Sequence, residues 1–177
     1  MTKPLFLLLL LALATGLGNS QSGNHVSLTP VPPAVQCKSP CQRHAVVFIH
    51  AFWGDETTWQ NSESHRTWPQ LMGQDPRFKD FDVFEAGYPT SAVPGAKGNN
   101  IRLTIIARDF NARLQQEIVP YYQTVSLIGH SMGGNIILTS ILFLKFTNKD
   151  AHKILTKYKN IVLLGTPIGF GPKANCS

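Results

Sequence analysis

The pentapeptide that most constrains this chain runs from Gly129 to Gly133 and carries Ser131 at its centre. In a G-x-S-x-G sequence the serine occupies a sharp strand-to-helix turn. The residues two before and two after it must be small, because strand and helix nearly touch there. Gly129 and Gly133 meet that demand, and Gly134 follows as a spare glycine. The pentapeptide therefore predicts a tight turn that exposes the hydroxyl of Ser131.

The flanking residues supply the strand and the helix that such a turn requires. Residues 124–128 form an apolar run of strand length, and residues 136–142 form an apolar run typical of a buried helix. The bare pentapeptide pattern arises by chance in about one chain in twenty. The order strand, turn, helix makes the pattern more specific than its five residues alone.

Apolar runs alternate with helical patterns along the rest of the chain. Further strands are predicted at residues 45–49, 81–87 and 161–164. A short helix is predicted at residues 68–72, and a longer one begins after Asn100 and ends before Pro120. Strands that alternate with helices favour right-handed crossovers. We therefore expect an α/β fold, with a mostly parallel sheet of about four strands and helices on both faces.

The chain divides into a leader, a lead-in and one domain. Residues 1–20 have a positive start, a Leu- and Ala-rich run and then small residues, which predicts a signal peptide; a retained membrane anchor is the alternative. Residues 21–43 are polar, and their prolines are expected to prevent regular pairing, which predicts an exposed lead-in. Residues 44–177 hold the domain. The leader predicts a secreted or periplasmic protein.

Export gives the cysteines a meaning, because thiols pair in oxidising compartments. Cys37 and Cys41 lie four residues apart and are predicted to form a disulfide before the first core strand. The alternative is that Cys37, Cys41 and His44 are metal ligands, but a fourth ligand is missing. Cys176 is left unpaired. We expect no metal and no cofactor.

The carboxyl ends of parallel strands open on one edge of a sheet, where a crevice forms. Ser131, the loop after Tyr88 and residues 166–168 all follow predicted strand ends. A serine nucleophile needs rigid donors for the oxyanion that its attack creates. The backbone N–H groups of Met132, at the start of a helix, and of Phe52, in the turn after the first core strand, are the candidates.

Three segments in this order resemble the α/β-hydrolase superfamily, and specifically its bacterial lipase- and esterase-like members. Residues 46–54 resemble the oxyanion loop, residues 129–134 the turn around the nucleophile, and residues 163–167 the strand end that follows it. The resemblance implies carboxylic ester substrates and an acyl-enzyme on Ser131. It departs from the family at Ala51, where a glycine is usual.

A larger departure concerns the acid and the histidine, which the resemblance places after the nucleophile. Only Asp150 and His152 follow Ser131, and both precede the last strand, so they belong about 20 Å away at the opposite edge of the sheet. His130 and His50 are expected to have structural roles, and His65 is the one alternative base.

The missing partners leave two functions open. The first is a serine hydrolase of carboxylic esters that is impaired in this chain. The chain is then a fragment of a longer enzyme, a truncated gene product or a domain whose base comes from another chain. The second is an inactive hydrolase-fold remnant or acyl-binding module.

The formal charge of +6 raises the question of an anionic partner. Lys149, Lys153 and Lys157 recur at four-residue intervals, which is typical of a solvated helix face. We therefore expect a small-molecule or lipid ester as the partner and no nucleic acid, with a membrane surface as a weaker alternative. The apolar last strand, residues 161–164, predicts self-association through its edge.

Aromatic residues cluster near the predicted crevice. They are expected either to form an apolar acyl pocket or to pack the loops. These residues are Phe52, Trp53, Trp59, Tyr88 and Phe170.

Overall fold

A computed structural model describes residues 25–51, 56–88 and 103–168 of the chain. The predicted signal peptide, Asn100, Phe52, Trp53, Phe170 and Cys176 lie outside these residues. Within them, no helix combines the length and the apolar character needed to cross a membrane.

In the described residues, five strands form one sheet in the order β1-β3-β2-β4-β5. The strands are β1 (Ser27–Val31), β2 (His44–Ile49), β3 (Phe81–Gly87), β4 (Thr124–His130) and β5 (Tyr158–Leu164). β2, β3, β4 and β5 run parallel to one another, as predicted, and β1 pairs antiparallel with β3. The mixed, mostly parallel α/β sheet is confirmed, with one strand more than expected.

The additional strand corrects the prediction for residues 21–43. β1 lies within the supposed exposed lead-in, and its Pro30 pairs with Phe84 of β3. Proline lacks a backbone donor, but an edge strand has one side that needs none. The prolines therefore restrict this segment to the edge of the sheet without excluding it from the sheet.

Within the part of the chain that the structure describes, four α-helices connect or follow the strands. They are α1 (Trp68–Gln74), α2 (Leu103–Arg113), α3 (Met132–Thr147) and α4 (Ala151–Leu155). Short 3-10 turns occupy Glu56–Trp59 and Pro76–Phe78, and a π-helical turn, Leu114–Ile118, extends α2. α1 begins at a capping box, in which Thr67 and Gln70 each accept a hydrogen bond from the other's backbone N–H.

Helices cover both faces of the sheet, as predicted. On one face, α2 and α3 bury Phe110, Leu114 and Ile136 against Val47 and Leu127. On the other face, Met72 of α1 and Trp59 pack on Val46, Phe48 and Ile128. Successive side chains of β2 and β4 point to opposite faces of the sheet, and both faces are covered. This explains why these two strands are apolar along nearly their whole length.

A buried carboxylate joins the elements at the amino-terminal edge of the sheet. Asp82 of β3 is fully buried and accepts hydrogen bonds from the backbone N–H groups of Val35 and Gln36, at 3.0 Å each. The guanidinium of Arg43 donates to it at 2.6 Å, and the Tyr122 hydroxyl donates at 2.8 Å. No local pattern in the sequence indicates this network, although it ties together four separate segments of the chain.

The protonation of Asp82 follows from these contacts. Burial raises the pKa of Asp82, but the donors from Arg43, Val35 and Tyr122 lower it more, and the net pKa lies below the ordinary value of 3.8. The charged carboxylate is therefore the form that the fold stabilises.

The predicted disulfide is present. Cys37 and Cys41 are bonded, with Cα atoms 6.3 Å apart. Both cysteines pack against the core, and the Cys37 N–H donates to the Tyr122 hydroxyl at 3.1 Å. The alternative of a metal site is wrong, because both sulfurs are used in the bond and His44 Nδ1 is hydrogen-bonded to Thr124.

The predicted lysine stripe is divided. α3 ends at Thr147 and α4 begins at Ala151, so Lys149 and Lys153 lie on different segments. Lys157 is half-buried, and its Nζ donates to the carbonyl oxygens of Val119, at 2.6 Å, and Tyr122, at 3.0 Å. It thus satisfies carbonyls at the end of a helix, a common role for a lysine.

We predict that Asp82→Asn lowers the free energy of unfolding by about 2 to 3 kcal/mol, because buried donors lose a charged acceptor. Urea unfolding at pH 7 measures this change. Glu117→Gln is the control: it removes a half-exposed ion pair with Arg113 and is expected to cost about 0.5 kcal/mol or less.

The effect of Asp82→Asn on the free energy of unfolding should depend on pH. Because the pKa of Asp82 is lowered on folding, its stabilisation is complete above the unfolded-state pKa of about 4 and is lost as pH falls through the folded value. The stability difference between wild type and Asp82→Asn should therefore shrink below about pH 4. A difference that stays constant down to pH 2 would contradict this role.

Candidate active site

The predicted turn around Ser131 is present. β4 ends at His130 and α3 begins at Met132, so Ser131 is the single residue between strand and helix. Its φ of 50° and ψ of −114° place a non-glycine residue in a conformation that is rarely adopted. Such backbone strain persists only where the surrounding structure enforces it.

Glycines on both sides of Ser131 enforce the turn. A Cβ on Gly129 would lie 2.6 Å from the Gly134 nitrogen, and a Cβ on Gly133 would lie 2.7 Å from the His50 carbonyl oxygen. The strand and the helix are therefore in backbone contact, as predicted. Gly134 is not a spare, because a Cβ there would overlap the side chain of Thr166.

The Ser131 hydroxyl is left available by its own turn. The Ser131 N–H donates to the Leu164 carbonyl oxygen at 2.8 Å, and its carbonyl accepts from Gly134 N–H at 3.1 Å. Its side chain makes no capping hydrogen bond to α3, and no described residue contacts the hydroxyl by a hydrogen bond. The residue is half-buried, so the hydroxyl is neither sealed in the core nor held by the helix.

The four parallel strands end at one edge of the sheet. Ile49 of β2 pairs with Ala86 and Gly129, and His130 of β4 pairs with Leu164. The segments that follow these strands, including Ser131, therefore share this carboxyl-terminal edge, as predicted.

One predicted oxyanion donor can be located. Met132 is the first residue of α3, and the first N–H groups of a helix have no partner within it. That N–H adjoins Ser131 at the positive end of the helix dipole. The other predicted donor, Phe52, lies outside the described residues.

The residues just before Phe52 are fixed by hydrogen bonds. His50 Nδ1 is 2.9 Å from the Ala51 carbonyl oxygen, and the His50 ring stacks on Tyr88 with centroids 4.3 Å apart. The Tyr88 hydroxyl donates to the His50 carbonyl oxygen at 2.8 Å, and burial raises the pKa of Tyr88. His50 and Tyr88 thus anchor the turn after β2, which agrees with the structural role expected for His50.

The candidate bases do not meet Ser131. Asp150 and His152 follow α3, whose 16 residues span about 24 Å. They stand next to the start of β5, at the edge opposite Ser131, as predicted. His65 is exposed, and no hydrogen bond joins it to Ser131. The His130 ring lies against Trp59, with centroids 6.1 Å apart, and its buried Nδ1 has no hydrogen-bond partner.

Aromatic side chains gather beside the turn. Trp59 and Trp68 each meet Phe48 edge-to-face at a centroid distance of 5.2 Å. With His130 and Leu164, these tryptophans line a cavity of about 360 Å³. The sequence predicts Trp59 near the crevice, but it predicts Trp68 only as the start of a helix. The described part of the chain holds no cluster of three or more metal-ligating side chains.

No protein-family model matches the chain, and no curated protein matches its sequence. Solved structures of bacterial proteins are among those to which part of the chain is similar. The lipase BlEst2 of Bacillus licheniformis, in mature form, is 16% identical with a TM-score of 0.46, over 81% of this chain and 47% of that one.

Esterase B of Lactobacillus rhamnosis is 16% identical with a TM-score of 0.40, over 82% of this chain and 50% of that one. Brefeldin A esterase, described as a bacterial homologue of human hormone sensitive lipase, is 14% identical with a TM-score of 0.40, over 75% and 39%. The chain thus spans half the length of these proteins or less.

The chain's own geometry identifies its fold. Parallel central strands, helices on both faces and a serine in a strained turn between β4 and α3 are the features that define this architecture. The described residues have an α/β-hydrolase-like fold, as the sequence predicted.

Proposed function

We propose that the protein is a serine hydrolase of carboxylic esters that acts through an acyl-enzyme on Ser131. The observation that carries this proposal is the φ of 50° at a serine whose hydroxyl does not cap the helix behind it. A strained serine without a local hydrogen bond serves no evident purpose in packing, but it presents a nucleophile.

The reaction follows from this geometry. The Ser131 Oγ bonds to the ester carbonyl carbon, and the carbonyl oxygen takes up negative charge next to the Met132 N–H. Collapse of this intermediate breaks the bond to the alkoxy oxygen, and the alcohol leaves with the proton from the hydroxyl. Water then attacks the acyl group, which releases the acid and restores Ser131.

The rate depends on a proton acceptor for the hydroxyl. No described histidine or carboxylate is hydrogen-bonded to Ser131, so this proton reaches the leaving alcohol only through water, and the chain is an impaired hydrolase. The oxyanion site and the bound geometry alone still accelerate such reactions, by about 10³-fold in known serine hydrolases. The alternative is an inactive remnant or acyl-binding module that keeps the turn without the chemistry.

The proposed setting is secreted or periplasmic. The leader-like residues 1–20 and the disulfide between Cys37 and Cys41 both support it, because disulfides persist in oxidising compartments. The proposed substrates are small-molecule or lipid esters. A nucleic-acid partner is not proposed.

Reaction with a fluorophosphonate probe tests the nucleophile. We expect covalent labelling of the wild-type chain and none of Ser131→Ala, as measured by intact-protein mass spectrometry, because the probe reacts with activated serines. Ser64→Ala removes an exposed serine and should label like wild type. No labelling of folded wild type would favour the inactive module.

The glycines on either side of Ser131, Gly129 and Gly133, give a second test of the same site. We predict that Gly133→Ala lowers the free energy of unfolding by about 2 kcal/mol, because the new methyl meets the backbone of Ile49 and His50. Displacement of Ser131 should also slow fluorophosphonate labelling at least about tenfold. Thermal unfolding and labelling rates measure the two effects.

Gly73→Ala is the matched control. Its Cβ would find its nearest neighbour at 3.5 Å, and alanine is favoured over glycine within a helix by about 0.5 to 1 kcal/mol. This variant should be as stable as wild type or more so. Equal effects of the two substitutions would contradict the steric account of the turn.

We also propose that the chain self-associates through β5. This strand pairs with β4 on one side, and no described strand pairs with its other side. Ile161 and Val162 are 43% and 37% exposed. An edge with unpaired backbone groups and apolar side chains favours pairing with another chain.

A charge on this edge should prevent that association. We expect Ile161→Lys to shift the chain toward monomer at about 100 µM in sedimentation velocity, because edge lysines oppose strand pairing. Leu142→Lys, which places the same charge at a 53% exposed position on α3, should not. A wild-type chain that is monomeric at this concentration would contradict the proposal.

A further inference from the structure

A cavity beside the turn around Ser131 has the size and the lining of a ligand site. It measures about 360 Å³, within the usual range for small-molecule sites of about 300 to 1,000 Å³. We call it the tryptophan pocket. Its lining includes Trp59, Trp68, Leu71, His130, Leu164 and Arg66.

The walls of the tryptophan pocket are preformed by aromatic contacts. Trp59 and Trp68 both pack edge-to-face on Phe48, and their own centroids are 6.0 Å apart. Phe48 is fully buried in β2, so it holds both rings on the sheet. Edge-to-face contacts leave each indole with a face that can receive another ring.

The pocket leaves apolar surface uncovered. Trp68 is 42% exposed, although its ring packs on the buried Phe48, and Leu71 of the same lining is 41% exposed. Burying such surface is favourable by about 25 cal/mol per Å². A planar apolar group would therefore gain free energy by entering the tryptophan pocket.

The pocket adjoins the proposed nucleophile. His130 and Leu164 form part of its wall, and the backbone N–H of Ser131 donates to the carbonyl oxygen of that same Leu164. Trp59 follows β2 and contacts the His130 ring, so the pocket opens at the edge of the sheet that carries Ser131. The pocket and Ser131 therefore lie at the same edge of the sheet, joined through His130 and Leu164.

One cation borders the pocket. Arg66 is exposed and donates to the Gln74 side chain, and no described carboxylate lies within ion-pair distance of it. Its guanidinium therefore has donors that match a carboxylate. An apolar wall with a cation at its border is complementary to an aromatic ring that carries an anionic substituent.

We propose that the tryptophan pocket binds the aromatic ring of an ester substrate, with a carboxylate on that ring directed to Arg66. The link to catalysis rests on the proposed function, but ring binding itself does not require Ser131 to be active. The pocket thus selects aryl carboxylate-bearing groups over simple alkyl chains.

Calorimetric titration with 2-naphthoate tests the proposal. The neutral analogue 2-naphthylmethanol separates ring binding from charge, and cyclohexanecarboxylate tests the requirement for a planar ring. We expect the wild-type chain to bind 2-naphthoate more tightly than either. Trp59→Ala and Trp68→Ala should each weaken 2-naphthoate about tenfold, by the loss of one aromatic wall.

Two arginine substitutions distinguish the effect of Arg66 from the effect of the overall surface charge. Arg66→Gln should weaken 2-naphthoate about threefold, as expected for an exposed ion pair, and leave 2-naphthylmethanol unchanged. Arg77→Gln is the matched control, because Arg77 is an exposed arginine paired with Asp75 and away from the lining. It should change neither ligand.

Trp68→Phe protects the test against a simple folding defect. It keeps a ring in place and should retain most of the affinity that Trp68→Ala loses, with both variants folded by near-ultraviolet circular dichroism. The proposal would be overturned if wild type did not bind 2-naphthoate. It would also be overturned if Trp59→Ala and Trp68→Ala both bound 2-naphthoate as tightly as wild type does. A dimer that Trp68→Ala dissociates and 2-naphthoate does not would overturn it as well, since a second copy would then occupy the pocket.

The pocket and the hydrolase can fail separately. Ser131→Ala should bind 2-naphthoate as wild type does. Binding in a wild-type chain that the fluorophosphonate does not label would retain the pocket and overturn the hydrolase. Labelling without binding would retain the hydrolase and overturn the pocket.

Discussion

Two glycines at the start of α3 let its backbone lie directly against the carboxyl-terminal edge of the sheet. A methyl at Gly133 would meet the carbonyl oxygens of Ile49 and His50, and a methyl at Gly134 would meet the side chain of Thr166. Because no side chain separates Gly133 from the backbone of Ile49 and His50, the first turn of α3 is in direct backbone contact with the end of β2. This close contact between helix and sheet positions Ser131 and the N–H groups at the start of α3.

The strain at Ser131 is a consequence of this contact. A non-glycine residue in such a conformation costs about 1 to 3 kcal/mol, which the packing of β4 and α3 must offset. The N–H of Ser131 is held by Leu164 of the neighbouring strand, so the turn is fixed from two sides. The serine hydroxyl is thereby directed by the backbone and not by a side-chain hydrogen bond.

The two edges of the sheet are stabilised by different interactions. At the amino-terminal edge, Asp82 accepts hydrogen bonds from Arg43, Tyr122 and the segment before the disulfide, so a polar network joins these segments. At the carboxyl-terminal edge the contacts are close backbone approaches and aromatic rings around Phe48.

Local pattern in the sequence determined the four parallel strands, the helices α1, α2 and α3 and the position of Ser131, because buried periodicity and glycine spacing act over a few residues. Only the tertiary structure decided that Pro30 lies in an edge strand, that Asp82 is the centre of a buried network and that Trp68 lines a pocket. Each of these depends on which distant segments meet. Strand pairing and helix packing decide that, and neither is written in the spacing of neighbouring residues.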